Sequence, residues 1–217
     1  MTVGNLVNIN FETGDLSQWD ASSGSPAVTA TTPIEGTYSL LTSGADHVSK
    51  NFAAQAEVWF LMEVQYAAYP TGSTRNIAAL RSSGGEIISI RTTTAGKVRF
   101  QHTTTNIFTT AGAWGAGVVK LLVHVKRNGP GADVYEAWVR TGTTWAVLFT
   151  TNTLTFGADF SAVRVGGLNS GHEGTHRTDW VQVGTNSTIL PHDEQLTGIT
   201  NRISPSRLTG RLGGLIA

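Results

Sequence analysis

The chain has 217 residues with 25 Gly, 6 Pro and no Cys, and 15 Lys+Arg balance 15 Asp+Glu. Without Cys there is no disulfide framework, thiolate chemistry, Cys-ligated zinc or iron–sulfur cluster. A formal net charge of +0 gives no overall electrostatic footprint for nucleic acid or an anionic membrane. Charged residues are only 14 % and hydrophobic residues 40 %, so the chain can bury a core, and its length suits one all-β domain or two small ones.

Met1-Thr2-Val3-Gly4-Asn5 carries no basic segment, and no apolar run of leader length follows it. The longest apolar stretches, such as Val58-Trp59-Phe60-Leu61-Met62, fall far short of the ~20 residues of a membrane span. The expectation is a protein made and kept inside a cell, or released without a cleaved leader.

Nearly everywhere the apolar period is two. Strands are predicted, in chain order, over 6–12, 27–32, 38–43, 47–52, 57–69, 76–82, 86–92, 97–102, 106–109, 117–127, 133–140, 145–150, 161–166 and 178–184. Val98 and Phe100, or Val119, Leu121, Val123 and Val125, alternate with polar neighbours, which marks half-buried strands. Turn signals separate the runs: Thr13-Gly14-Asp15, Ser83-Gly84-Gly85, Ala95-Gly96, Asn128-Gly129-Pro130-Gly131 and Thr141-Gly142. No helical segment of ten residues occurs before about residue 190. Many short strands with one apolar face predict two packed antiparallel sheets over residues 1–190.

After Pro191-His192-Asp193-Glu194 the composition shifts. Residues 195–217 hold three Arg, no acid and seven Leu/Ile, with Leu196-Thr197-Gly198 repeated as Leu208-Thr209-Gly210. Residues 191–217 read either as a frayed tail or as an extended arm that docks on another subunit through Arg202, Arg207, Leu208, Arg211 and Leu212.

Asn10-Phe11-Glu12-Thr13-Gly14-Asp15-Leu16-Ser17-Gln18-Trp19 resembles the opening strand and turn of concanavalin A-like (laminin-G-like) jelly-roll domains. Gly36-Thr37-Tyr38-Ser39-Leu40 resembles the strand that follows there, and Ala162–Gly167 with Thr178–Val183 resembles the closing pair of strands. The match spans about residues 5–185 in order and spacing. It implies a two-sheet antiparallel sandwich, but no single function, because the fold hosts lectins, glycan-binding modules, hydrolases, lyases and structural domains.

His172-Glu173-Gly174-Thr175-His176 matches H-E-x-x-H, the zinc-protease pattern, letter for letter. A helix is needed to put both His on one face, and Asn169, Ser170, Gly171 and Gly174 are poor helix residues. The segment reads as a polar loop between strands, with metal binding through His172 and His176 as its alternative. Glu57 and Glu63 share one strand face, but the family's E-x-D-x-x-E type of catalytic run is missing, so they read as a solvated face and no enzyme is expected. Asp133 and Glu136 face opposite sides.

No cofactor is expected except calcium, for which Glu12, Asp15 and Asp179 are the oxygen donors if the end strands pair as in the family. The alternative is that Asp15 caps its turn and Asp179 bonds nearby backbone. Glycan binding would use exposed aromatics, with Trp114, Trp145 and Tyr69 as the candidates, while Trp59 and Trp138 read as core. A lectin-like sandwich with an Arg/Leu arm and no leader resembles a phage virion protein assembled in the host cytoplasm: a capsid decoration, minor capsid or tail-associated subunit. That reading expects a homo-oligomer, other virion proteins as partners through the arm, and cell-surface glycans as ligands. The alternatives are a carbohydrate-binding module without a virion role and, behind it, a polysaccharide lyase or glycoside hydrolase.

Overall fold

The computed structural model describes residues 5–141, 144–167 and 174–185. These form fifteen β-strands and no helix. The strands are β1 (Asn5–Ile9), β2 (Ala21–Ser23), β3 (Ala27–Thr29), β4 (Ser39–Ser43), β5 (His47–Gln55), β6 (Glu57–Ala68), β7 (Arg75–Ser82) and β8 (Gly85–Thr92). They continue with β9 (Val98–His102), β10 (Thr105–Thr109), β11 (Val119–Lys126), β12 (Asp133–Thr141), β13 (Thr144–Leu154), β14 (Phe160–Gly166) and β15 (Thr175–Gly184). The all-β, two-sheet antiparallel sandwich read from the alternation is what forms.

The larger sheet has the order β13-β12-β11-β6-β15-β4-β3, with β1 also paired to β15. The smaller has the order β10-β9-β8-β7-β14-β5-β2. Every pairing is antiparallel. Between the sheets, Val58, Phe60, Met62 and Val64 of β6 and Leu121, Val123 and Val125 of β11 meet Leu80, Ile88, Ile90, Phe100, Val163 and Val165 from the smaller sheet. Each of these is at most 1 % exposed. Burying each one contributes about 1.5–3 kcal/mol.

Three local corrections have physical causes. Strand β2 carries no apolar signal, because Ala21, Ser22 and Ser23 are all exposed and the segment is held only by backbone pairing to β5. β13 runs on to Leu154 through Thr150–Thr153, where register shifts interrupt alternation. β15 begins at Thr175, so His176 lies in a strand rather than in a loop. The expected arm residues Arg202, Arg207, Leu208, Arg211 and Leu212, together with His172 and Glu173, lie outside the described residues.

Candidate functional site

Alternation sends Ile88, Ile90, Phe100, Val163 and Val165 into the core, and so turns Ser89, Arg91, Arg99, Gln101 and Arg164 to the opposite face of the smaller sheet. Strand pairing lines these side chains up across the sheet. One row runs Ser49, Arg164, Ala79, Ser89, Gln101, Asn106. A second runs Asn76, Arg91, Arg99, Thr109. A third joins Asn51, Ala162, Arg81 and Glu86. Ala79, Ser89 and Ala162 make a small, buried floor, and the four arginines lie half-buried over it.

The charge on this sheet is one-sided. Its seven strands hold five arginines and one lysine, and Glu86 is their single acid. One of those arginines, Arg75, is buried inside the sandwich, where it donates to the Gly174 carbonyl. The outer face therefore sets Arg81, Arg91, Arg99 and Arg164 against one carboxylate. Glu86 accepts from Arg91 Nη2 at 3.4 Å and from Asn76 Nδ2 at 3.1 Å, and Arg91 Nε donates to Ser89 Oγ at 3.1 Å. The Nε atoms of Arg81, Arg99 and Arg164 are buried without a hydrogen-bond partner, and so is Gln101 Oε1. Burial, and next the charge of Arg81, lower the pKa of Arg164.

Two physical costs are visible here. Arg91 and Arg99 are direct cross-strand partners, and like charges so placed destabilise a sheet. Four partly desolvated guanidinium groups also share the single carboxylate of Glu86. An anion laid across the face offsets both. The planar fork of Arg matches carboxylate or sulfate oxygens in pairs, while Asn76, Gln101 and Asn106 add amide donors and acceptors suited to hydroxyls.

The outer face of the larger sheet is different. Trp59, Leu61, Leu122 and Trp138 form a second apolar cluster, against which half-buried Trp145 packs. Trp59 and Trp138 are thus buried as expected, but on the side away from the main core. Alternation alone does not say which face of a two-faced strand is the inner one. Beside them His124, stacked on Trp59 at 4.0 Å, bridges two carboxylates: Nδ1 to Glu136 at 2.9 Å and Nε2 to Glu57 at 3.0 Å. His124 is buried, which alone would lower its pKa, but the two carboxylates outweigh this and raise it. The same bond holds Glu57 down at about 2. Glu57 and Glu63 share this face, but Glu63 is 1 % exposed rather than solvated. Burial pushes it up to about 7 against its contact with Lys120 Nζ at 2.5 Å.

The three aromatic candidates do not converge. The Tyr69 hydroxyl donates to the Trp114 carbonyl, and the Trp114 amide donates to the Gly96 carbonyl at 3.0 Å, so these two form one half-buried knot against the main core. Trp145 belongs to the second cluster.

Nor are Glu12, Asp15 and Asp179 all brought together. Glu12 accepts from the Thr37 and Tyr38 amides. Asp15 accepts from the Ser17 amide at 3.0 Å and hydroxyl at 2.6 Å. Asp179 accepts from the Trp180 amide, Ser39 Oγ and the Glu35 amide. Glu12 and Asp179 line one pocket of about 190 Å³, which Asp15 does not reach. Among the described residues no group of three or more His, Asp or Glu is placed to hold a metal ion. His176 is buried in the sandwich beside Thr42 Oγ1, 3.1 Å from its Nε2, and burial drives its pKa well down.

No family model matches the chain, and no curated protein matches it in sequence. Solved structures do. The chain resembles endo-β-1,4-glucuronan lyase from the fungus Trichoderma reesei at TM-score 0.61 and 17 % identity, covering 84 % of this chain and 96 % of that one. It resembles the marine PL-14 alginate lyase from Aplysia kurodai at TM-score 0.62 and 8 % identity, covering 84 % and 100 %. A botulinum neurotoxin type C structure, whose cell entry is described as dependent on two ganglioside molecules, matches at TM-score 0.59 and 8 % identity, covering 84 % of this chain and 48 % of that one. The fold is a concanavalin A-like jelly roll, among whose structural neighbours are both polysaccharide lyases and a neurotoxin binding domain.

Proposed function

We propose that the protein is a non-catalytic carbohydrate-binding module, and that it takes anionic polysaccharide chains across the outer face of the smaller sheet. The observation that carries this reading is the set of four arginines, Arg81, Arg91, Arg99 and Arg164, over a small-residue floor with Glu86 as the one acid in the described strands of that sheet. Guanidinium forks hold the carboxylates or sulfates, and Asn76, Gln101 and Asn106 read hydroxyls between them. The names of two structural neighbours, a glucuronan lyase and an alginate lyase, support the choice of an acidic glycan.

The non-catalytic part rests on what the face carries. A lyase needs a positioned group that removes a carbon-bound proton and another that protonates the leaving oxygen. Among the described residues, the strands of this sheet carry no tyrosine, and their one lysine, Lys50, is paired with Asp20 at 2.7 Å; His47, at the sheet's edge, is turned to the carbonyls of Ala45 and Gly167 at 3.1 Å, and His102, at the end of β9, packs edge-on against Phe156. The test is isothermal titration of the full-length chain with polygalacturonate. Binding is expected, with no rise in ultraviolet absorbance from unsaturated uronate ends. A rise that tracks protein concentration would overturn the non-catalytic reading, and retention on DNA but on no acidic glycan would overturn the ligand.

A virion role extends this proposal. The module would then sit on a particle surface, held as a homo-oligomer or on other virion proteins through residues 191–217. Its test is separate: the protein should be found in purified particles of its source, and absence from them would end that part of the reading.

A further inference from the structure

At one end of the arginine face the tips of β7–β8 and β9–β10 meet the segment after β13. There they border an open hollow of about 290 Å³. Its walls include Glu86, Ile87, His102, Thr103, Thr155 and Phe156. This size lies just below the lower end of the roughly 300–1,000 Å³ typical of sites for whole small molecules, which suits one sugar residue rather than a chain. The pocket is continuous with the arginine face through Glu86, the cross-strand partner of Arg81 and the ion-pair partner of Arg91.

The chemistry of the pocket differs from that of the face. Among the described residues that line it there is no Arg or Lys, and its one carboxylate, Glu86, is paired with Arg91, so the pocket itself offers no cation to an acidic sugar. Burial lowers the pKa of His102, and its ring meets Phe156 edge-on at 5.3 Å. Thr155 Oγ1 accepts from the Gly131 amide at 2.8 Å and keeps its own proton to donate. Thr103 Oγ1 donates to the His102 carbonyl at 2.7 Å and keeps acceptor capacity. Thr103 stands at φ +51, a strained conformation for a β-branched residue, at the tip that forms the pocket wall. Hydroxyl donors and acceptors beside an aromatic and aliphatic wall suit a neutral sugar ring.

Resting on the proposed polysaccharide-binding role, we infer that this pocket takes a neutral sugar residue next to an acidic one held by Arg81 and Arg91. The preferred ligand is then an acidic heteropolysaccharide, with acidic and neutral residues in one chain, rather than a homopolymeric uronate.

The experiment compares two probes on the full-length protein: an alternating glucuronate–N-acetylglucosamine oligosaccharide and an oligogalacturonate of equal length. Gly157→Trp places bulk at the pocket, where a Cβ on Gly157 meets nothing within 4 Å, and Gly84→Trp does so from the other wall, where the nearest contact is 3.6 Å. The unaltered protein should favour the alternating probe by about tenfold, the equivalent of one well-made hydrogen-bond set. Either Trp variant should abolish that preference while oligogalacturonate affinity stays within about twofold, which also shows that the variant is folded. A preference that survives both variants overturns the pocket assignment and leaves the arginine face standing. Equal affinity of the unaltered protein for the two probes does the same. Failure to bind either probe overturns the polysaccharide-binding role and the pocket with it.

Discussion

His124 offers the most exacting test of the packing described for the larger sheet. Its ring, on β11, is hydrogen-bonded at both nitrogens, to Glu57 on β6 and Glu136 on β12, and so ties three adjacent strands together. Only the imidazolium donates from both nitrogens, and its side chain is just 6 % exposed. Each hydrogen bond to a charged group contributes about 1.5–3 kcal/mol, so the two together give roughly 3–6 kcal/mol. The glutamates are 33 % and 14 % exposed, and water recovers part of their solvation when the ring is removed. His124→Gln is therefore expected to cost about 2–3 kcal/mol, or roughly 4–12 °C in Tm for a domain of this size.

The pH dependence has a definite sign. The pKa of His124 is raised in the fold, so its contribution is complete below the unfolded value near 6.5 and is lost as pH rises through the folded value. Glu57 is lowered to about 2, so its share is present above its ordinary 4.5 and lost as pH falls towards 2. The Tm difference between the unaltered protein and His124→Gln should be largest between about pH 4.5 and 6.5 and shrink on the alkaline side. Glu63, raised to about 7, and Asp179, raised to about 6, destabilise the fold as pH rises from about 4 to 7, but they cancel in the difference. Thermal unfolding by circular dichroism across this range is the assay. A Tm change under about 1 °C, or a difference that grows with pH above 7, would refute the reasoning.

Replacing both Arg91 and Arg99 by Ala should change Tm little, since relief of the like-charged cross-strand pair, about 0.2–1 kcal/mol, offsets loss of the partly exposed Arg91–Glu86 pair, while acidic-glycan binding falls more than tenfold, about 1.4 kcal/mol. Trp145→Ala should cost about 1–2 kcal/mol, less than a fully buried Trp, and leave affinity for acidic glycan unchanged; a loss of affinity would move the site to the larger sheet. Gly96 lies at φ +71, and an added Cβ would stand 2.5 Å from the Tyr69 ring, so Gly96→Ala should cost about 2–3 kcal/mol and free Tyr69 from Trp114, seen as increased tyrosine exposure in near-ultraviolet spectra.

Much of the sandwich is legible from period two alone. Val98 and Phe100 point inward and Arg99 outward in the sequence as in the fold, and Val119–Val125 behave alike. Strand β2 is silent because its residues are small and exposed. Trp59 and Trp138 show what alternation leaves open: a strand with large apolar residues on both faces declares two buried sides but not which is the core.

The basic face was hidden for another reason. Arg81, Arg91, Arg99 and Arg164 come from four strands, and only the pairing of β14, β7, β8 and β9 brings them together. A net charge of +0 conceals this segregation, because most of the strand acids, including Glu57, Glu63, Asp133, Glu136 and Asp179, fall on the larger sheet. The aromatic residues at turns do not gather on one surface in the fold. Tyr69 and Trp114 bond each other at the end of the core instead of lining a platform.

The most direct measurement is the affinity of the full-length chain for polygalacturonate by isothermal titration at rising NaCl, with the double Arg91→Ala, Arg99→Ala protein alongside. An arginine face that pairs with carboxylates requires affinity that falls steadily with salt, and a more than tenfold loss in the double variant at low salt. Binding that ignores both salt and the two arginines would contradict the assignment of this face.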